Sequence, residues 1–208
     1  MVLSGTSKMD LEQDLEIWEH CNPKDLWIYD KLILSKKLGY TCGPKGVPVP
    51  ESNYYIIRPI TNLLGMGIGS SIRWIERSTK GIPDGFFWCE VFSGRHLTID
   101  YVNKKQVLCV EGLRKEGDPL WKWREWRKID ETHPFPNICN DLLGNYKNIN
   151  IETIGGNLIE VHLRPNPDWK IDYSSIIPYF EGDDFEIPKG YRFVEDKEYK
   201  RIGFYVKM

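Results

Sequence analysis

The stretch Ile149–Pro165, INIETIGGNLIEVHLRP, decides how the chain is read. Two runs of strand composition are joined by Gly155-Gly156. Side chains alternate across a strand, so Glu160 and His162, two apart, point to one face. A tight hairpin brings Glu152 across from them. Two carboxylates and an imidazole on one face, with Asn166 just beyond, offer hard ligands of the kind Mg²⁺ takes. The plain alternative is a solvated polar face on an edge hairpin. Against it, Ile149, Ile151, Leu158, Ile159, Val161 and Leu163 imply a buried opposite face that anchors the hairpin.

Other strand-like runs surround this one. YYIIRPI (Tyr54–Ile60), GFFWCEVF (Gly85–Phe92), HLTIDYV (His96–Val102) and QVLCVEGL (Gln106–Leu113) precede it, with a tight turn at Asn103-Lys104-Lys105. YRFVED and KRIGFYVK predict a last hairpin. Helical patterns cover residues 7–20, Trp27–Leu38 with Gly39 as its stop, and Pro136–Tyr146. Thr41–Asn53, rich in Gly and Pro, reads as an extended connector. Strands in hairpins with a few helices predict an α+β fold of antiparallel sheets and argue against a doubly wound parallel one.

Composition narrows the function. The 208 residues carry 28 Lys plus Arg against 30 Asp plus Glu, so no basic excess argues for general nucleic-acid or membrane-surface binding. No apolar run approaches the roughly 20 residues that span a bilayer, and the N-terminus lacks the pattern of a secretory signal. The five scattered cysteines, with no CxxC pair, fit a reducing cytoplasm better than a disulfide framework. No GxSxG occurs, and no Ser or Cys is paired with a base. His20, His96 and His133 lie far apart and read as structural or surface residues. The run Trp121, Lys122, Trp123, Arg124, Trp126, Arg127, Lys128 reads either as an amphipathic helix with indoles inward or as a basic aromatic surface for a partner.

Residues 62–71, NLLGMGIGSS, place Gly65, Gly67 and Gly69 at every second position, letting backbone N–H groups approach an anion. A mobile hairpin tip explains the same pattern. Neither GxxxxGK[ST] nor a strand-to-helix GxGxxG is present. Arg58 supplies a cation on the strand before the loop, and Lys31 lies at the head of a helix.

The order of these pieces resembles the ATP-grasp superfamily over about Tyr29 to Trp169. It runs Asp30-Lys31 on a helix, a connector ending Val47-Pro48-Val49-Pro50, Ile56-Ile57-Arg58-Pro59, the glycine loop, Trp88-Cys89-Glu90-Val91-Phe92, Gly94-Arg95 and the Glu strands. The resemblance implies two antiparallel-sheet lobes clasping a nucleotide: a small lobe over about 29–84, a large lobe with the metal site over 85–170, and a C-terminal hairpin extension over 171–208, in one unit over 1–208. It implies ATP and Mg²⁺ as cofactors, with Mn²⁺ as the alternative because His162 stands where the family usually has Asn.

By the same resemblance Lys31 contacts the nucleotide, Arg58 replaces the usual phosphate-binding Lys, and Gly65, Gly67 and Gly69 fold over the triphosphate. Glu90, Val91, Phe92 and Ser93 form the hinge at the adenine edge. Glu152, Glu160 and His162 correspond to the metal-binding set. Arg58, Arg114 and Arg164 are the cations expected at the reacting phosphate, with Arg95 a further candidate. The implied activity is a carboxylate–amine ligase acting through an acyl phosphate. The alternative is a degenerate ATP-grasp nucleotide-binding or interaction protein. Relatives usually carry an N-terminal α/β substrate domain, and only about 28 residues precede Asp30 here. A small or macromolecular acid or amine substrate, a second copy, or a partner supplying the missing domain is therefore expected, with neither membrane nor nucleic acid. Chains this reduced resemble those of bacteriophage genomes, which would put the protein in the host cytoplasm.

Overall fold

Short turns between strand-forming runs make the hairpin the repeating unit of this fold. A computed structural model describes residues 14–61, 67–142, 144–169, 172–184, 186–198 and 200–208. Helix α1 (Asp14–His20), a 3₁₀ segment (Pro23–Tyr29) and helix α2 (Lys31–Lys37) come first. Strands β1 (Cys42–Pro44), β2 (Asn53–Pro59), β3 (Ser71–Ile75) and β4 (Phe86–Glu90) form a four-stranded antiparallel sheet of order β1-β4-β2-β3. Strands β5 (His96–Val102), β6 (Lys105–Leu113), β7 (Glu125–Lys128), β8 (Asn148–Ile154), β9 (Asn157–His162), β10 (Ser175–Phe180), β11 (Arg192–Glu198) and β12 (Arg201–Lys207) form an eight-stranded one. Its order is β11-β12-β10-β7-β6-β5-β8-β9, and every pairing in both sheets is antiparallel.

The two-sheet α+β architecture agrees with the sequence reading, but the lobes divide elsewhere. Strand β4, assigned to the large lobe, pairs with β1 and β2 of the small sheet. The C-terminal strands are no appendage: β10 pairs with β7, and β12 with β10, so they extend the large sheet. The Thr41–Asn53 connector contains β1. Trp27–Leu38 is broken at Asp30, whose extended backbone ends the 3₁₀ segment and whose carboxylate accepts from Ile33 N–H at 2.7 Å to cap α2. Residues 137–142 are 3₁₀ rather than α. Nor is the tryptophan run a helix: Glu125–Lys128 is recruited between β6 and β10, so sheet pairing overrides helical spacing. Strands β3 and β10 were not foreseen; Pro178 in β10 hid the latter.

One face of the large sheet is apolar. Leu97, Ile99, Tyr101, Ile149, Ile151 and Val161 pack there with Ile17, Ile28, Tyr29 and Leu34 from the helical segments. The other face is polar by register. Thr98, Glu152 and Glu160 are paired across β5, β8 and β9, and Asp100, Asn150 and His162 across the same strands. A bulge between Glu152 and Thr153 lets Leu158 face the core while Ile159 lines the cleft, although simple alternation would put Leu158 beside Glu160. A separate core of Val49, Tyr55, Ile57, Ile75, Ile82 and Trp88 underlies the small sheet. Among the described residues no helix is long and apolar enough to cross a membrane.

The turn of the β8–β9 hairpin touches the segment linking the sheets. Gly155 has φ +57°, and a Cβ there would lie 2.1 Å from Ser93 O. Gly156, at φ +83°, has open space around it. Gly155→Ala is expected to lose on the order of 3 kcal/mol of stability, against about 1 kcal/mol for Gly156→Ala, because only the first adds a backbone clash to the strain. Urea unfolding of both variants checks this. Equal losses would mean that the Ser93 contact does not constrain the hairpin.

Candidate functional site

The polar face of the large sheet forms one wall of a cleft, and Ile56, Arg58, Ile72 and Cys89 from the small sheet form the other. Helix α2 begins where Lys31 N–H donates to Ile60 O at 2.8 Å, which sets its first side chain beside the end of β2. From there Lys31 Nζ reaches Glu160 Oε1 at 2.6 Å, and Arg58 meets Glu160 Oε2 at 3.2 Å. All three side chains are about nine-tenths buried or more. Arg58 and Glu160 line the cleft; Lys31 backs the carboxylate. Burial lowers the Lys31 pKa, and Glu160 opposes that shift.

The second acid stands opposite. Glu152 Oε2 meets His96 Nε2 at 3.0 Å, and, although desolvation works against it, His162 and His96 hold its carboxyl well below the usual range. His162 is fixed from α1: its Nδ1 lies 2.8 Å from Asp14 Oδ2, which also accepts from Arg164 at 2.6 Å. That leaves His162 Nε2 at 3.9 Å from Glu152 Oε1 and 3.7 Å from Glu160 Oε1. These separations are too long for hydrogen bonds and suit two ligands flanking one cation. Burial alone would push the imidazole pKa down, but Asp14 outweighs it and raises the value to about 9.

Donor atoms of Glu152, Glu160 and His162 lie within 4.8 Å of one another. The set fits a divalent cation. A carboxylate on one ring nitrogen is the usual support of a histidine ligand, with the other nitrogen turned to the ion. Mixed nitrogen and oxygen donors suit Mn²⁺ better than Mg²⁺, which prefers oxygen. Asn150, paired with His162, adds an amide: its NH₂ donates to Thr98 Oγ1 and Asp100 Oδ1, both at 2.7 Å, which turns the amide oxygen away from them.

The remaining candidates fall unevenly. Glu90, Val91 and Phe92 line the cleft, with Phe92 edge-on to Tyr40 at 4.6 Å. Glu90 Oε1 accepts from Thr41 N–H at 2.7 Å, so its side chain holds the connector. Ser93 directs its carbonyl at Gly155 instead. Gly67, at φ +60°, lines the cleft and Gly69 packs near Phe86, whereas Gly65 lies outside the described residues. Arg114 and Arg164 line the cleft. Arg95 is instead held by Glu111 and Glu131, each at 2.8 Å. Three contributors escaped the sequence reading: Asp14, His96 and Asn150. Asn150 and Glu152 share one strand face, and His96 shares the face of Thr98, so period-two alternation was a usable signal for both. Asp14 had none, because its role depends on how α1 docks.

No family model matches the sequence, and no curated protein matches it. Among solved structures, a protein of Archaeoglobus fulgidus placed in the ATP-grasp superfamily aligns at TM-score 0.50 and 12% identity, over 87% of this chain and 64% of that one. The L-amino acid ligase of Bacillus licheniformis aligns at TM-score 0.49 and 8% identity, over 87% and 66%. The ATP-grasp ligase PsnB, complexed with a minimal precursor, Mg and ADP, aligns at 0.40 and 12%, over 72% and 56%. This chain thus spans less than two thirds of the length of the archaeal protein.

A histidine held protonated by Asp14 makes stability pH-dependent. Its folded pKa of about 9 exceeds the ordinary 6.5, so the folded state binds more protons and the stabilisation is complete below that ordinary value. It is lost as pH climbs through about 9. Asp14, held below its ordinary range despite burial, acts only in acid and leaves this window untouched. The metal-free protein is therefore expected to show a falling urea midpoint between about pH 6 and 9.5, flattened in His162→Gln. A flat wild-type profile would contradict the Asp14–His162 pairing.

Proposed function

We propose, from the ATP-grasp fold that this chain has and from the charges of its cleft, that it is an ATP-dependent ligase joining a carboxylate to an amine, with Mg²⁺ or Mn²⁺ as its divalent cation. One observation supports this above the rest: Arg58, Lys31 and Glu160 converge within 3.2 Å where the two sheets face each other, beside a second acid. A triphosphate entering the cleft offers Arg58 a new partner, while Lys31 stays paired with Glu160. Glu152 and Glu160, with His162 or Asn150, would hold the divalent cation, which when bound neutralises phosphate charge as a Lewis acid.

In the first step a substrate carboxylate oxygen attacks the γ-phosphorus in line. The bond to the β–γ bridging oxygen breaks, and its electron pair leaves with ADP. The amine nitrogen then attacks the acyl carbon of the acyl phosphate. Phosphate departs with the C–O electron pair, and the amine proton passes to solvent. Arg58, Arg164 and Arg114 are the cations available to the charge that develops on phosphate. No protein nucleophile is required. Cys89, the cysteine lining the cleft, stays a thiol because burial pushes its pKa up to about 12. The acid or amine can be small or part of a macromolecule, and a second copy or a partner chain can complete the acceptor side.

A second reading, nucleotide binding without turnover, draws support from His162, since a protonated imidazole offers a cation no lone pair. Phosphate release from ATP with a panel of acids and amines separates the two. The ligase reading expects acid-dependent release that Glu160→Gln lowers by about 10²-fold or more, with the thermal shift by ATP reduced as well. Full turnover in Glu160→Gln would refute the site. A thermal shift by ATP and metal with no release under any condition would favour the second reading.

A further inference from the structure

The cleft continues past the acids along the large sheet. Ile176, Trp126, Gly112, His96 and Ile154 are paired in register across β10, β7, β6, β5 and β8, a row adjoining Thr98, Glu152 and Glu160. His96 is the joint between the two regions. Its Nε2 meets Glu152, and its ring lies 4.5 Å from Trp123 at 77° and 5.6 Å from Trp126 at 87°. Gly112 makes room for the indoles: a Cβ there would lie 2.7 Å from Trp126 and 2.8 Å from Trp123. Leu120, Trp169 and Ile176 complete an apolar lining at this end.

Among the described residues, one guanidinium in this region is not ion-paired with a carboxylate. Arg164 is held by Asp14 at 2.6 Å, and Arg201 by Asp168 at 3.2 Å. Arg114 lies over Trp123 with its guanidinium carbon 4.9 Å from the ring centroid and donates to Leu120 O at 3.3 Å. The acid that acts on it electrostatically, Asp118, is bound through both oxygens to Arg124 at 2.6 and 2.7 Å. Among the described residues no carboxylate pairs with Arg114. A forked guanidinium seated on an indole, beside two further indoles, matches a ligand with a planar anionic end and a flat apolar body.

We propose that the acid bound by this cleft is an aromatic carboxylate, its ring against Trp123, Trp126 and Trp169 and its carboxylate at Arg114. The proposal rests on the ligase reading for the fate of the carboxylate, but not for its binding. An adenine ring is the other flat candidate, and its expected place is by Tyr40, Val91 and Phe92, which line the same cleft. A nucleotide taken up at the tryptophan end is therefore an outcome the test must detect.

Isothermal titration of the full chain with benzoate, phenylacetate and indole-3-carboxylate, against cyclohexanecarboxylate and benzamide, decides the matter. Aromatic acids are expected to bind at least about tenfold more tightly than either the saturated acid or the uncharged amide. Trp123→Leu is expected to weaken the aromatic acid about tenfold and to leave ATP affinity within about twofold; Arg114→Met is expected to weaken the acid about tenfold, and Arg114→Lys to recover only part of that loss. Equal binding of benzoate and cyclohexanecarboxylate, or no binding of any acid at about 10 mM, overturns the proposal. So does loss of ATP in Trp123→Leu in place of loss of the acid. The ligand panel on the unaltered protein decides even if a tryptophan variant does not fold. Selective acid binding without ATP binding would sink the ligase reading and leave this pocket standing; ATP binding without acid selectivity would do the reverse.

Discussion

A single buried carboxylate joins three parts of this protein that lie far apart in sequence. Glu160 on β9 takes Lys31 from the head of α2 and Arg58 from β2, at 2.6 and 3.2 Å. Desolvating three ionised groups is expensive, several kcal/mol each in a low-dielectric interior, so hydrophobic replacements would serve stability at least as well. The triad therefore makes little sense as a stabilising device. Under the proposed reading it serves as a reserve of charge beside an open cleft, which Arg58 lines.

Strand periodicity made most of the large sheet legible. His96–Val102 matched β5 from end to end, and the Gly155-Gly156 turn set Glu152 opposite Glu160. The failures share a cause. Strand β10 contains Pro178, β7 follows a tryptophan spacing that also suits a helix, and β1 has three residues amid Gly and Pro. Each exists because a neighbouring strand supplies hydrogen-bonding partners, which local composition does not record. The lobe boundary failed similarly, since β4 lies next to β5 in sequence yet pairs with β1 and β2.

The candidate site was legible where it depends on alternation and opaque where it depends on docking. Glu152, Glu160 and His162 follow from a hairpin of even spacing. Arg58 follows from the strand that precedes the glycine loop. Asp14 could not be read, because nothing in DLEIWEH says that its first carboxylate is buried against an imidazole and a guanidinium on β9 and just beyond it. His96 lies far from the other histidines in sequence, which says nothing of a residue whose partners arrive from β8 and from the turn before β7.

The segment that links the two sheets is tied to the acid hairpin. Residues Glu90–Ser93 lead from the small sheet toward β5, and the Ser93 carbonyl packs on Gly155 at the turn of the hairpin that carries both acids. Gly155 N–H in turn donates to Arg95 O at 2.9 Å, fastening the same turn to the start of β5. A displacement of that segment must therefore move or strain the acid hairpin, since a turn with no room for a methyl group cannot absorb it locally. Close packing of Ser93 and Gly94 against Gly155 thus couples the segment between the sheets directly to the hairpin that carries both acids.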